Sequence, residues 1–414
     1  MTHTAQAHRA AAISWGVLAT VILVSAIAPL ATDMYVPAFH QVGRDLATGA
    51  SQVQLTLTTF FLGMALGQLV GGPVSDARGR RRPLLISLVV LTLASVACAF
   101  TPTIGLMMAA RFLQGLSGGW AMVTARSVIV DLAEGPELVR SLNLVAGIGG
   151  IAPIVGPLMG GIILEVSHWR VSFWVVAALG AAMVVAVALG VPESLPAHRR
   201  HAGGLRVLAR STGAVIGRRS FVGYLIVMAL SMGVTFAYVA TSAFILQSMN
   251  GLSPLEYSVN FAFNAVGLTI TTLVAAKLAG RTPTRRVILV GLVATGAAGV
   301  LLLVGAVWFG TPLLVALVAF FVLMSAQGLV GPNAGALASA EVPGHPGTGS
   351  AILGSFQWTM AGVVAPIAGL GGEESAVPMA VIIITLTLVS LVALLVLARV
   401  HHSPALPSGV PGSR

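Results

Sequence analysis

Asp33 is the acidic residue whose position most strongly indicates chemistry, because it lies inside a long apolar segment. The other Asp and Glu residues fall in polar connections or at the ends of apolar segments. A charged aspartate at the centre of a membrane helix costs about 2.5–3.5 kcal/mol, and such residues usually face a cavity and bind protons or ions. Because burial disfavours the charged form, we expect Asp33 to bind a proton near neutral pH and to release it when its surroundings change. The alternative is a contact at the helix end, since Asp33 lies one or two turns from the predicted edge.

Arg111 is a second charged residue inside an apolar segment, the fourth of the chain. Its field could change the proton affinity of a nearby cavity, or it could be a structural arginine that donates to backbone carbonyls. The apolar segments contain no metal-binding set of His and Asp, no Ser–His pair and no phosphate-binding loop. We therefore expect no enzymatic activity, no metal and no cofactor.

The composition indicates which elements must position these residues. Hydrophobic residues make up 57% of the 414 residues and charged residues 8%, whereas soluble domains carry about 25% charged residues. A helix needs about 20 apolar residues to span a bilayer, and lipid admits only helices or closed barrels. The apolar runs are too long for strands and cover residues 13–38, 53–73, 84–101, 104–127, 142–164, 171–191, 221–248, 257–279, 287–309, 312–335, 349–371 and 378–399. The sequence thus predicts an all-α integral membrane protein with twelve transmembrane helices.

The placement of arginines indicates the orientation in the membrane. If the amino terminus is cytoplasmic, fourteen arginines fall in cytoplasmic connections, and Arg44 and Arg170 fall in outer ones. Positive residues favour the cytoplasmic side, so we expect both termini in the cytoplasm. We expect the protein to lie in the inner (cytoplasmic) membrane of the cell. The net charge of +10 therefore does not indicate a nucleic-acid partner.

A polar connection divides the predicted helices into two sets of six. Gly63 and Arg81 in the first set recur, at one constant spacing, as Gly267 and Arg285 in the second. Two parallel halves around a central site are typical of transporters. The predicted organisation is a cytoplasmic tail (1–12), an N-terminal six-helix bundle (13–191), a cytoplasmic linker (192–220), a C-terminal six-helix bundle (221–399) and a second cytoplasmic tail (400–414).

The connection between the second and third helices starts at Gly72 and has the sequence GPVSDARGRRRP. Gly79 permits a tight reversal. Asp76 is an acid in an otherwise basic loop, so it is expected to pair with a cation. Asp131, at the end of the fourth helix, is a second expected partner for Arg80. Alternatively, the arginines only fix the topology and the aspartate is solvated.

This loop resembles motif A of the major facilitator superfamily. The sequence RFLQG from Arg111 resembles its helix-4 motif B, and GPLMGG from Gly156 resembles motif C, the helix-5 signature of antiporters. The sequence ATDMYVPA from Ala31 resembles the first helix of the Bcr/CflA group of drug exporters, and GPNA from Gly331 extends the resemblance into the second half. One departure is that the first glycine of motif C is Ala152 here.

The resemblance implies a twelve-helix, two-bundle transporter that exports drugs in exchange for protons, by alternating access. It adds Arg111 to Asp33 as a proton-coupling residue. The residues matched to motif A gating are Gly72, Asp76, Gly79, Arg80 and Asp131. The residues matched to the antiporter motif C are Pro153, Gly156, Pro157, Gly160 and Gly161.

Helices 1, 4, 7 and 10 line the cavity in this superfamily, so the leading candidates for substrate contact are Tyr35, Gln114, Tyr238 and Gln327. Each of them can instead join two helices by a hydrogen bond. An exporter of a single endogenous metabolite or antibiotic is the alternative function. The expected partners are a drug-like small molecule, protons and the lipid bilayer, with the protein as a monomer.

Overall fold

The computed structural model describes residues 14–133, 135–200, 213, 215–342, 346–371 and 374–398. The two predicted tails and much of the predicted linker lie outside these residues. The described residues form long helices at the twelve predicted apolar runs. In chain order these are α1 (Trp15–Asp33), α2 (Ala50–Arg78), α3 (Arg81–Phe100), α4 (Ile104–Leu132), α5 (Gly135–Val166), α6 (Arg170–Gly190), α7 (Arg219–Ala243), α8 (Pro254–Leu278), α9 (Thr284–Phe309), α10 (Leu313–Ala340), α11 (Pro346–Ala368) and α12 (Val377–Val392).

Most of the helices can cross a membrane by length and composition, and within the described residues ten meet that condition. The fourth helix, α4, carries Arg111, Gln114 and Arg126, which lower its hydropathy. In α5, the apolar stretch among the described residues is Ile151–Val166. The polar groups of α4 must therefore be satisfied by neighbouring helices rather than by lipid.

The helices pack as two six-helix bundles with the same internal arrangement, and this confirms the predicted fold class. In the first half, α2 packs on α4, α3 on α6 and α1 on α5. In the second half, α8 packs on α10, α9 on α12 and α7 on α11. The halves meet along two equivalent seams, α2 against α11 and α5 against α8.

The repeated arginines make equivalent contacts in the two halves. Arg81, at the start of α3, donates from Nη2 to the carbonyl of Ala188 near the end of α6, at 2.5 Å. Arg285, at the start of α9, donates in the same way to the carbonyl of Leu394 just beyond α12, at 2.9 Å. The short sequence repeat thus corresponds to a structural repeat that joins the third and sixth helices of each half.

Hydrogen bonds join the two halves at one end of the molecule. We call the end with the α2–α3 connection the arginine-rich end and the opposite one the far end. At the far end, Gln54 of α2 donates to the carbonyl of Ala240 on α7 at 2.9 Å. Gln247, in the π-helical extension of α7, donates to the carbonyl of Pro37 at 3.2 Å. These hydrogen bonds close the far end.

Candidate functional site

Asp33 is the last residue of α1, and only 6% of it is exposed. The chain then enters a short 3-10 helix, Val36–Ala38. The hydroxyl of Thr32 donates to the carbonyls of Ala28 and Pro29 and so satisfies the last turn of α1. Within the described part of the chain, Asp33 forms no ion pair. Asp33 is therefore at a helix end, as the alternative of a helix-end contact expects. It is also buried, as proton binding near neutral pH requires.

Two glycines of the predicted antiporter motif pack directly on the segment that carries this acid. A Cβ added to Gly156 would lie 2.8 Å from the Cβ of Asp33. A Cβ added to Gly160 would overlap the carbonyl oxygen of Met34. The two prolines of the motif, which interrupt the hydrogen bonding of α5, are Pro153 and Pro157. Only residues without a side chain allow α5 to approach α1 this closely.

The second half of the molecule also reaches this acid. The 3-10 helix that follows Asp33, Val36–Ala38, packs against both α7 and α8. Gly161 of α5 faces α8, where an added Cβ would overlap Oγ of Ser258. Asp33 therefore lies where α1 and α5 of one half meet α7 and α8 of the other.

Arg111 is fully buried in the first half. One Nη donates to the carbonyl of Ala31 at 3.1 Å and to Oε1 of Gln114 at 2.6 Å. Gln114 in turn donates to Oγ of Ser95 at 2.8 Å. Nε and the second Nη of Arg111 have no hydrogen-bond partner among the described residues. The hydrogen bond to the carbonyl of Ala31 is the contact that a structural arginine would make. The positive charge of Arg111 has no carboxylate partner among the described residues, as an electrostatic role requires.

Aromatic rings surround this guanidinium in place of a carboxylate. Its central carbon lies 4.3 Å from the ring centroid of Phe60, 5.0 Å from that of Tyr35 and 5.7 Å from that of Phe173. The hydroxyl of Tyr35 pairs with Oγ1 of Thr56 at 3.0 Å. A buried cation over aromatic faces gains about 2 kcal/mol or more. The rings therefore stabilise the charge of Arg111 beside Ala31, which is two residues before Asp33 in α1.

Arg80 is the centre of an ion-pair cluster at the arginine-rich end. Its Nη1 lies 2.5 Å from Oδ1 of Asp76, and its Nε lies 2.8 Å from Oδ2 of Asp131. Burial by itself lowers the pKa of Arg80, but hydrogen bonds and charges from the two aspartates outweigh it, and the pKa is raised. The structure thus brings together three residues predicted for motif A. A Cβ added to Gly72 would meet no atom within 4 Å, so this glycine makes no close packing contact.

Glu193, just after α6, is the residue of this cluster that sequence reasoning missed. It accepts hydrogen bonds from the backbone N–H of Arg80 at 2.7 Å and of Arg81 at 3.3 Å. Gly79 has a φ of +91°, and a Cβ there would lie 2.5 Å from Oε2 of Glu193. The carboxylate therefore caps the positive amino-terminal end of α3 and fastens the connection after α6 to the α2–α3 turn. The only signal in the sequence was a single acid within a polar linker.

A cavity of about 330 Å³ lies in the second half, toward the arginine-rich end. Its walls come from α7, α8, α10 and α11, and the predicted residue Gln327 contributes to them. The other three predicted substrate contacts, Tyr35, Gln114 and Tyr238, are buried between helices and do not line it. Their hydrogen bonds join helices, which is the alternative role that the sequence left for them.

Comparisons with known proteins agree with this architecture. A sequence model described as Major Facilitator Superfamily matches residues 21–366. The "Uncharacterized MFS-type transporter YdgK" of Bacillus subtilis is 33% identical over 87% of this chain and 90% of its own length. The "Bicyclomycin resistance protein homolog" of Haemophilus influenzae is 26% identical over the same shares of both chains.

Among solved structures, a D-xylose–proton symporter superposes on 91% of this chain and 96% of its own, with a TM-score of 0.74 and 16% identity. At that identity the superposition supports the fold alone. The family and its relatives are transporters rather than enzymes. Since the family match covers most of its length and an MFS-type transporter with 33% identity aligns with 87% of it, the chain belongs to the Major Facilitator Superfamily and is a multi-pass membrane transporter.

Proposed function

We propose that this transporter exports drugs or other small amphipathic molecules in exchange for protons, by alternating access between two orientations. Asp33 binds the coupling proton, and Arg111 adjusts its affinity through the electrostatic field. The relative named as a bicyclomycin resistance protein homolog supports a drug-like substrate. The protein acts as a monomer in the inner membrane, with the arginine-rich end and both termini in the cytoplasm.

The burial of Asp33 at the meeting point of the two halves is the observation that carries this proposal. A carboxylate without a cation partner is costly to bury, and the carboxyl end of a helix disfavours negative charge further. In the structure with a closed far end, these conditions favour the protonated acid. When the halves separate at the far end, water reaches Asp33 and the proton exchanges with the outer solution.

The Arg80 cluster is proposed to hold the arginine-rich end in one of its two arrangements. We expect Asp76→Asn to slow the transport cycle about fivefold, since loss of a half-exposed ion pair costs about 1 kcal/mol. Substrate affinity should not change, because Asp76 is not among the residues that line the cavity in the second half. Transport rates in proteoliposomes and equilibrium binding in detergent measure the two effects. Glu374→Gln, which removes an exposed acid elsewhere, is the control. Equal transport rates for both variants would contradict the prediction and leave this loop only the role of fixing membrane topology.

One titrating acid sets a limit on the driving force. A proton that enters down 100 mV contributes about 2.3 kcal/mol, and one pH unit contributes about 1.4 kcal/mol. A neutral molecule exchanged for one proton uses both contributions, enough for a gradient of several hundredfold, because about 1.4 kcal/mol corresponds to tenfold. A monovalent cation exchanged for one proton moves no net charge, so only the pH difference remains.

Proteoliposomes with an imposed potential and no pH difference test this coupling. At 100 mV we expect a neutral drug to reach a gradient of about fortyfold, because the potential contributes about 2.3 kcal/mol. A dication should not be exported, because its exchange for one proton moves positive charge against the potential. Potassium gradients with valinomycin set the potential, and liposomes without protein give the leak. Strong export of a dication under these conditions would contradict exchange for a single proton.

A further inference from the structure

We propose that a groove between α2 and α11, near the arginine-rich end, binds an anionic phospholipid. One acyl chain lies in the groove, and the phosphate lies on Arg219 at the start of α7. The groove is separate from the residues that the proposed transport mechanism uses, so the proposal does not depend on proton coupling.

Both halves of the molecule form the walls of this groove. Its volume is about 240 Å³, and the residues that line it include Leu69 of α2, Ile216 just before α7, and Ala351, Ser355 and Phe356 of α11. α2 and α11 form one of the two seams between the halves. Beside the groove, Gly354 lets Gln68 of α2 approach so closely that an added Cβ would overlap Oε1 of Gln68. The groove therefore follows the line along which the two halves touch.

The groove lies on an apolar surface that faces outward from the helices. Phe356 is 47% exposed, and Val363 and Ile367 continue the same exposed face of α11 at helical spacing. Leu66 of α2 and Ile216 are also exposed. In a multi-pass membrane protein such a surface contacts acyl chains, and a groove in it holds one chain more firmly than a flat helix face does.

Ser355 gives the groove an unused hydrogen-bond donor. It is 6% exposed, and its hydroxyl has no partner among the described residues. By contrast, Thr387 and Ser390 of α12 donate to the carbonyls four residues earlier. A buried hydroxyl without a partner is costly, and rotation about its Cα–Cβ bond to another staggered position can turn it into the groove. The ester carbonyl of a phospholipid is an acceptor that suits this hydroxyl.

A pair of exposed arginines at the start of α7 provides the charge for a phosphate. Arg219 forms no ion pair among the described residues, and it follows Ile216 by three residues, which extend at most about 11 Å. Arg218 donates to the backbone carbonyl of Glu341, whose carboxylate accepts from Ser220 at 2.8 Å. Two arginines thus face one carboxylate, and one positive charge remains. Guanidinium groups bind phosphate well, and the remaining charge favours a lipid that is negative overall.

Binding of two radiolabelled lipids to the purified, delipidated full chain in detergent tests the charge recognition. Dioleoylphosphatidylglycerol is anionic and dioleoylphosphatidylcholine is zwitterionic, and their acyl chains are identical. The wild type should bind the anionic lipid about fivefold more tightly, and Arg219→Gln should remove this preference. Arg286→Gln, which removes an exposed arginine at the same end from α9, should keep it. Equal binding of the two lipids by the wild type, or equal losses in the two variants, would overturn the proposal.

Two further variants test whether the lipid lies in the groove. Ala351→Trp fills it and should weaken binding of both lipids by at least about tenfold, whereas Ala109→Trp, at an exposed position of α4, should bind like the wild type. If Ala351→Trp does not fold, Ser355→Ala decides, and it should weaken both lipids about fivefold through one lost hydrogen bond. Full binding in the groove variants would also overturn the proposal. Glycerol 3-phosphate should not compete, because it has no acyl chain, and competition by it would indicate an anion site alone.

Discussion

Asp33→Asn is expected to abolish the accumulation of drug against its gradient when a pH difference is imposed across proteoliposomes. Asparagine has nearly the same shape as aspartic acid but cannot bind and release a proton. The gradient should fall from about tenfold per pH unit to the level of liposomes without protein. Downhill exchange of labelled for unlabelled drug should persist, because that exchange needs the moving halves but no proton.

Glu165→Gln is the matched control, because it makes the same acid-to-amide change at an exposed position of α5. It should accumulate drug like the wild type. Drug-triggered proton release from the purified protein in detergent gives a second reading, and it should disappear in Asp33→Asn alone. If Asp33→Asn still accumulated drug, the coupling acid would have to be another residue.

Gly160→Ala is expected to reduce transport by about tenfold while the protein still inserts and remains monodisperse. The added methyl group would overlap the carbonyl oxygen of Met34, and a backbone atom cannot rotate away as a side chain can. α1 must therefore move away from α5 and displace Asp33, and displacements of about 1 Å at working sites cost large factors in rate. Initial rates in proteoliposomes measure the loss.

Gly190→Ala provides the comparison, because an added Cβ there meets no atom within 4 Å. Gly156→Ala should give an intermediate effect, since its added Cβ presses on the side chain of Asp33 rather than on the backbone. Transport by Gly160→Ala at the rate of Gly190→Ala would show that the close approach of α5 to α1 is only packing.

The sequence predicted the twelve helices well because each one must satisfy its own backbone within lipid. Long apolar runs therefore correspond closely to helices, and the arginine repeat at Arg81 and Arg285 indicated equivalent halves that the structure contains. The helix ends were less predictable. α4 continues to Leu132 and α2 to Arg78, since a helix persists into the interface where composition no longer marks it.

The site was only partly predictable. Asp33 and Arg111 were found because charge in an apolar segment is costly and therefore informative. The direction in which each side chain points could not be predicted, because buried and exposed residues alternate around each helix without a clear polar face. Gln114 was predicted to contact substrate, and in the structure it accepts a hydrogen bond from Arg111 and donates one to Ser95. Gln357 lines the cavity, but an isolated glutamine in the sequence does not distinguish these positions.

The amide–hydroxyl pairs of the two halves have an evolutionary consequence. Gln114 with Ser95 in α4 and α3 is matched by Gln327 with Thr295 in α10 and α9. Three residues before Gln327, at the place that Arg111 holds before Gln114, stands the buried thioether of Met324. If both halves descend from one duplicated ancestor, the two copies have diverged at this position, so that one has a buried cation and the other does not. The divergence of the two copies then confines the buried guanidinium of this pair of positions to one half.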